Sequence, residues 1–135
     1  MTALTRFFFN PIYAPQSAWT VIGWWERRRS AYNVAVGAAG LLSLGAMNVF
    51  GALPPHRGWF GVPLVPIAIY ALLANVGFTA GPMVDVLIRR AWGNGYAAVG
   101  PALFRYGFVF SVGLTLLPIP LVAIDWVFRL LHAIG

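Results

Sequence analysis

Three apolar runs, residues 32–53, 62–88 and 106–131, fill more than half of this 135-residue chain, with acidic side chains only toward the ends of the last two. Crossing a hydrocarbon core about 30 Å thick takes about 20 apolar residues of helix at about 1.5 Å rise each. Each run meets that length. A soluble fold of this size would leave contiguous apolar surface in water, which drives aggregation. The predicted fold is therefore all-α. It is a single-domain polytopic membrane protein with transmembrane helices at 32–53, 62–88 and within 96–131, preceded by a short interfacial amphipathic helix over 17–30.

Composition supports hydrocarbon as the solvent: 60% of residues are hydrophobic and 9% charged, against about 25% charged in soluble domains. All nine basic residues are arginine, Glu26, Asp85 and Asp125 are the only acids, and the net charge is +6. In a soluble protein that balance would suggest nucleic acid. Here the arginines adjoin apolar spans, so anionic lipid headgroups are the nearer partner and no nucleic acid is expected. The chain has no cysteine, which removes disulfides, thiolate nucleophiles and thiolate metal ligands. Its start does not read as a cleaved signal peptide, since Phe7, Phe8 and Phe9 follow Arg6 and Pro11 and Pro15 then interrupt.

Three crossings place Arg6, Arg27, Arg28, Arg29, Arg89, Arg90 and Arg105 on one side and Arg57 and Arg129 on the other, a split of 7 to 2. The positive-inside rule then puts the N-terminus and the 89–105 connection in the cytoplasm, and the 54–61 loop and C-terminus outside. The expected location is a cell membrane of the bacterial inner-membrane kind. Residues 97–110 are too few to cross alone and carry Arg105 in their midst, so they read as an interfacial lead into the third span. Ser17 is suited to cap a helix, and Trp19, Ile22 and Trp25 recur at helical spacing, predicting a helix laid along the cytoplasmic face. Phe7 to Phe9 would wedge into the same boundary. Trp59, Trp92, Tyr96, Tyr106 and Trp126 fall near span ends, as an aromatic belt requires.

Membrane helices associate where small side chains let backbones approach and polar ones hydrogen-bond across. Rows at i, i+4, i+8 occur in every span: Ala35, Ala39 and Ser43; Ala71, Asn75 and Thr79, beside Gly77, Gly81 and Asp85; Gly107, Ser111 and Thr115. They predict a three-helix bundle with polar groups turned inward. Pro82, Pro118 and Pro120 remove backbone donors and predict kinks, with Thr79 and Thr115 close enough to compensate.

Ionisable groups in a span are functional candidates, yet each acid here has a local cation: Glu26 with Arg29, Asp85 with Arg89, Asp125 with Arg129. Ion pairs at the membrane boundary are the expectation. Asn75, mid-span, must find a partner, with Ser43, Thr115 or a backbone carbonyl as candidates. His56, His132 and Asp125 share one side, but two terminal imidazoles do not make a metal or haem site, so no cofactor or metal is expected. Catalytic motifs are missing: no serine has a plausible base, and no HExxH, phosphate loop or paired acids occur. Arg27, Arg28 and Arg29, with Trp19, Trp24 and Trp25, form the expected surface for lipid or partner.

The expected function is a non-catalytic membrane subunit, a structural or assembly component packing against itself or other membrane protein subunits. Two other classes remain open. One is a homo-oligomeric channel or transporter lined by Asn75, Thr79, Ser111 and Thr115; the other is a lipid-binding membrane protein.

Overall fold

The computed structural model describes residues 17–93 and 99–135, with Thr2, Ala3 and Arg6 from the N-terminal segment. The expected wedge at Phe7 to Phe9 and the belt residue Tyr96 lie outside the described residues. Everything regular among the described residues is helix: α1 (Ala18–Ala52), α2 (Leu64–Trp92), α3 (Val99–Leu116) and α4 (Pro118–Ile134). Three helical stretches, Ala18–Ala52, Leu64–Trp92 and α3 with α4 taken together, are long and apolar enough to cross a membrane. The chain is thus an all-helical, multi-pass membrane protein.

α1 starts where its capping chemistry says it should. Ser17 is extended, and its hydroxyl accepts from the Thr20 amide at 3.3 Å, satisfying one of the donors a helix start leaves over. The helix then runs 35 residues without a break. The separate interfacial helix expected over 17–30 is not seen as such, because those residues form the first turns of α1 itself. No proline lies between 17 and 52 to break it. Its buried positions, Val21, Trp25, Arg28, Tyr32, Val36, Ala39 and Ser43, step by three or four residues along one line, the spacing of a single helix face.

α2 returns antiparallel and α3 runs parallel to α1. Tyr32 Oη donates to Ser111 Oγ at 2.9 Å and lies 3.3 Å from the Ala74 carbonyl, tying all three at one level. The core is aromatic: Trp25, Phe78 and Phe104 meet edge to face at 5.6 to 6.3 Å, with Trp24 and Tyr32 against them. Gly81 admits the Trp25 ring, since a Cβ there would collide with it. Further along, Ser43 Oγ donates to the Thr115 carbonyl at 2.5 Å, and Tyr70 Oη and Thr115 Oγ1 also lie 2.5 Å apart.

At Leu117 the helix gives way to a single turn residue, after which Pro118 opens α4. The Leu114 carbonyl, deprived of the Pro118 donor, accepts instead from the Leu117 amide at 3.3 Å. Thr79 and Thr115 do not supply the compensation expected of them: their hydroxyls bond the Asn75 and Ser111 carbonyls, each one turn back. Beyond the break, α4 clasps the loop after α1. Arg129 donates to the Phe50 and Pro55 carbonyls at 2.7 and 2.6 Å, and Trp126 Nε1 to the Pro54 carbonyl at 3.0 Å.

Candidate subunit interface

Two belts of charge bracket the bundle. Glu26, Arg27 and Arg29 on α1 stand level with Arg105 on α3, since Trp25 packs on Phe104. At the other end Arg57, Asp125 and Arg129 gather round Phe50, with Asp125 bonded to Arg57 and Arg129 at 3.1 Å each. From Arg27 to Phe50 along α1 is about 35 Å at helical rise, close to the thickness of a bilayer's hydrocarbon core. Between the belts, α2 and α3 expose many large apolar side chains, among them Leu72, Val76, Val109 and Phe110. Trp19, Trp92 and Tyr106 lie exposed near or beyond the arginine-rich belt, and Trp59 near the other.

All three local ion pairs read from spacing form, at 2.7 Å for Glu26–Arg29, 2.7 Å for Asp85–Arg89 and 3.1 Å for Asp125–Arg129. Asp85 differs from the boundary pair expected of it. It is 0% exposed, held by Arg89 Nε and by Trp25 Nε1 at 3.0 Å, and Gly100 leaves room for its carboxylate because any Cβ would collide with it. Burial of a charge on this scale demands such complete pairing.

The proposed lipid or partner surface splits in two. Trp19 is 81% exposed and Arg27 exposed, whereas Trp24, Trp25 and Arg28 turn into the bundle. Trp25 serves the core and Asp85; Arg28 lies over the Trp24 ring at 3.7 Å and donates to the Trp24 carbonyl at 2.8 Å. Tryptophan suits either setting, being apolar in body with one donor to place. Here three apolar rings and a carboxylate outcompete the headgroup layer.

Asn75 does not reach Ser43 or Thr115, which bond each other on the inner side. Its carboxamide makes a reciprocal pair with Asn33, at 3.1 and 3.3 Å, and also donates to the Ala71 carbonyl at 3.0 Å. Arg29 joins from the next turn, donating to Asn75 Oδ1 at 3.3 Å and Thr79 Oγ1 at 3.2 Å, while its other contacts clamp Glu26 at 2.7 and 2.8 Å. Glu26, Arg29, Asn33, Asn75 and Thr79 thus form one hydrogen-bonded seam where α1 meets α2. Unlike the Asp85 pair it stays open: the Glu26 side chain is 46% exposed, and Asn33 and Thr79 are exposed too. Asn33 was not singled out from sequence. Antiparallel pairing at this register is what brings it to Asn75, and its phase relative to the α1 core row is the signal that marks it as outward.

Ser111 and Thr115 face Tyr32 and Tyr70 inside, while Asn75 and Thr79 lie on the opposite flank of α2. The four do not line one path through a single chain. Gly77, Gly81 and Gly107 border an apolar cleft of about 230 Å³ between α2 and α3, floored by Trp25 and Tyr32. His56 and His132 each bond a carbonyl one turn back, of Ala52 and Phe128. Comparison with protein-family models, characterised proteins and solved structures gives no match to this chain.

Proposed function

We propose that this chain is a non-catalytic membrane subunit, a structural or assembly component that packs against other protein through the α1–α2 seam. The observation that carries the reading is the depth and exposure of that seam. Asn33 and Asn75 lie about 9 Å inside the arginine-rich belt, counted from Arg27 along α1. A lipid chain can pair with neither amide nor carboxylate, so polar side chains at this depth turn toward protein or a water-filled cavity. Most of the described residues lie in the four helices, which suits an assembly role. The arginine-rich end is assigned to the cytoplasm by its charge excess, and the exposed Arg27, Arg90 and Arg105 would there meet anionic headgroups.

Extraction of the native membrane in mild detergent, followed by mass measurement of the intact assembly, tests this. The expected species contains this chain together with at least one further polypeptide, itself or another. A strictly monomeric species at every detergent concentration contradicts the reading.

A further inference from the structure

The seam carries more than a need for cover; its chemistry restricts what can cover it. Asn75 is saturated. Both of its amide hydrogens are committed, to Asn33 and Ala71, and its oxygen accepts from Asn33 and Arg29. Asn33 is half used: the reciprocal pair engages one hydrogen and one lone pair, and among the described residues its second hydrogen and second lone pair have no partner. This side chain is exposed, and it points away from the core row of Tyr32 and Val36. One donor and one acceptor on the same carboxamide is a self-complementary set.

The outward ridge around it suits close approach. Ser30 and Gly37, one turn to either side of Asn33, are small and exposed, and small residues are what let membrane helices touch backbone to backbone. Glu26 and Arg29 complete the ridge as a pair already closed on itself at 2.7 Å, so the patch is neutral and presents a second copy with no unbalanced charge. Copies of one chain insert in the same orientation, so a two-fold axis along the membrane normal brings residues of equal depth together. On such an axis Asn33 meets its own counterpart with its unused donor and acceptor reciprocally matched.

From this we propose that the partner on the α1–α2 seam is a second copy of this chain, in a parallel two-fold dimer centred on Asn33 and flanked by Ser30 and Gly37. The proposal rests on the subunit reading above and names the occupant that reading leaves open.

The chain's lack of cysteine makes the test direct. Ser30→Cys and, as control, Val109→Cys are each reconstituted into phosphatidylcholine vesicles and oxidised over a series of lipid dilutions. Val109 is exposed on α3 at the same depth, away from the seam. Expected is a covalent dimer through Cys at position 30 that persists on dilution, with at least tenfold less through position 109. Adding Asn33→Leu to Ser30→Cys should lower the dimer yield at a given dilution several-fold, in line with the loss of an interhelical hydrogen bond in a membrane. Equal cross-linking at both positions, or none at position 30, overturns the proposal, and Ser30→Cys alone decides this should the Asn33 variant not fold. If position 30 stays monomeric while the native assembly retains a different protein, the homodimer falls and the subunit reading stands.

Discussion

Asp85 shows most clearly what a single residue contributes and how much of that was legible. The i, i+4 spacing to Arg89 announces an ion pair from the sequence alone. Trp25, 60 positions away, could not be read as its other partner, because only tertiary packing brings the two together. Removing one member of a buried pair strands the other charge, which costs about 3 to 5 kcal/mol, whereas replacing both with apolar residues is often neutral. Asp85→Leu should therefore destabilise the bundle by an amount in that range, and Asp85→Leu with Arg89→Leu should recover most of it, as read by unfolding in mixed micelles. Equal loss in the single and double variants would mean that the pair is not an isolated unit. Trp24 and Trp25 lie in the core and not on the expected surface for a related reason: an indole satisfies the boundary and the core equally well, and the choice between them is made by Phe78 and Phe104, far off in sequence.

At the level of elements, the three crossings were legible because apolar length is a local property. The junction between 17–30 and 32–53 was less so. Arginines and tryptophans suggested a separate helix lying flat, yet the row from Val21 to Ser43 keeps one face through the supposed joint, and continuing that row across residues 30–32 would have revealed it. The loop after α1 teaches the converse. Sequence marks Arg129 as an outer-side charge and the neighbour of Asp125, while the structure makes it a clasp reaching two carbonyls more than 70 positions away. Arg129→Leu should loosen residues 53–60 selectively. Hydrogen exchange at the amides of Arg57 and Gly58, both bonded to the Gly51 carbonyl at 3.1 and 3.3 Å, is expected to quicken by about tenfold for each 1.4 kcal/mol lost locally, with exchange in the α1–α3 core unchanged. Uniform quickening throughout would indicate global destabilisation instead of a local clasp.

The whole molecule is a long α1 packed on α2, α3 and α4, with charge concentrated in two belts and apolar side chains exposed between them. The α1–α2 seam breaks that pattern inside the bilayer, and it is the reason to look for a covering partner. Membrane character could be read from length and composition. The seam could not, because it depends on the register that sets Asn33 against Asn75. Both rest on hydrocarbon filling the space between the belts, and cysteine accessibility measures that most directly. In sealed vesicles, single cysteines replacing Trp59 and Arg90 should react with a membrane-impermeant maleimide from opposite faces, with the arginine-rich end facing the cytoplasm. Cysteines replacing Leu72 and Val76, exposed on α2 between the belts, should react from neither face until detergent is added. Reaction of positions 72 and 76 in intact vesicles at the rate of the end positions, or reaction of positions 59 and 90 from the same face, would contradict the placement of this bundle across a membrane.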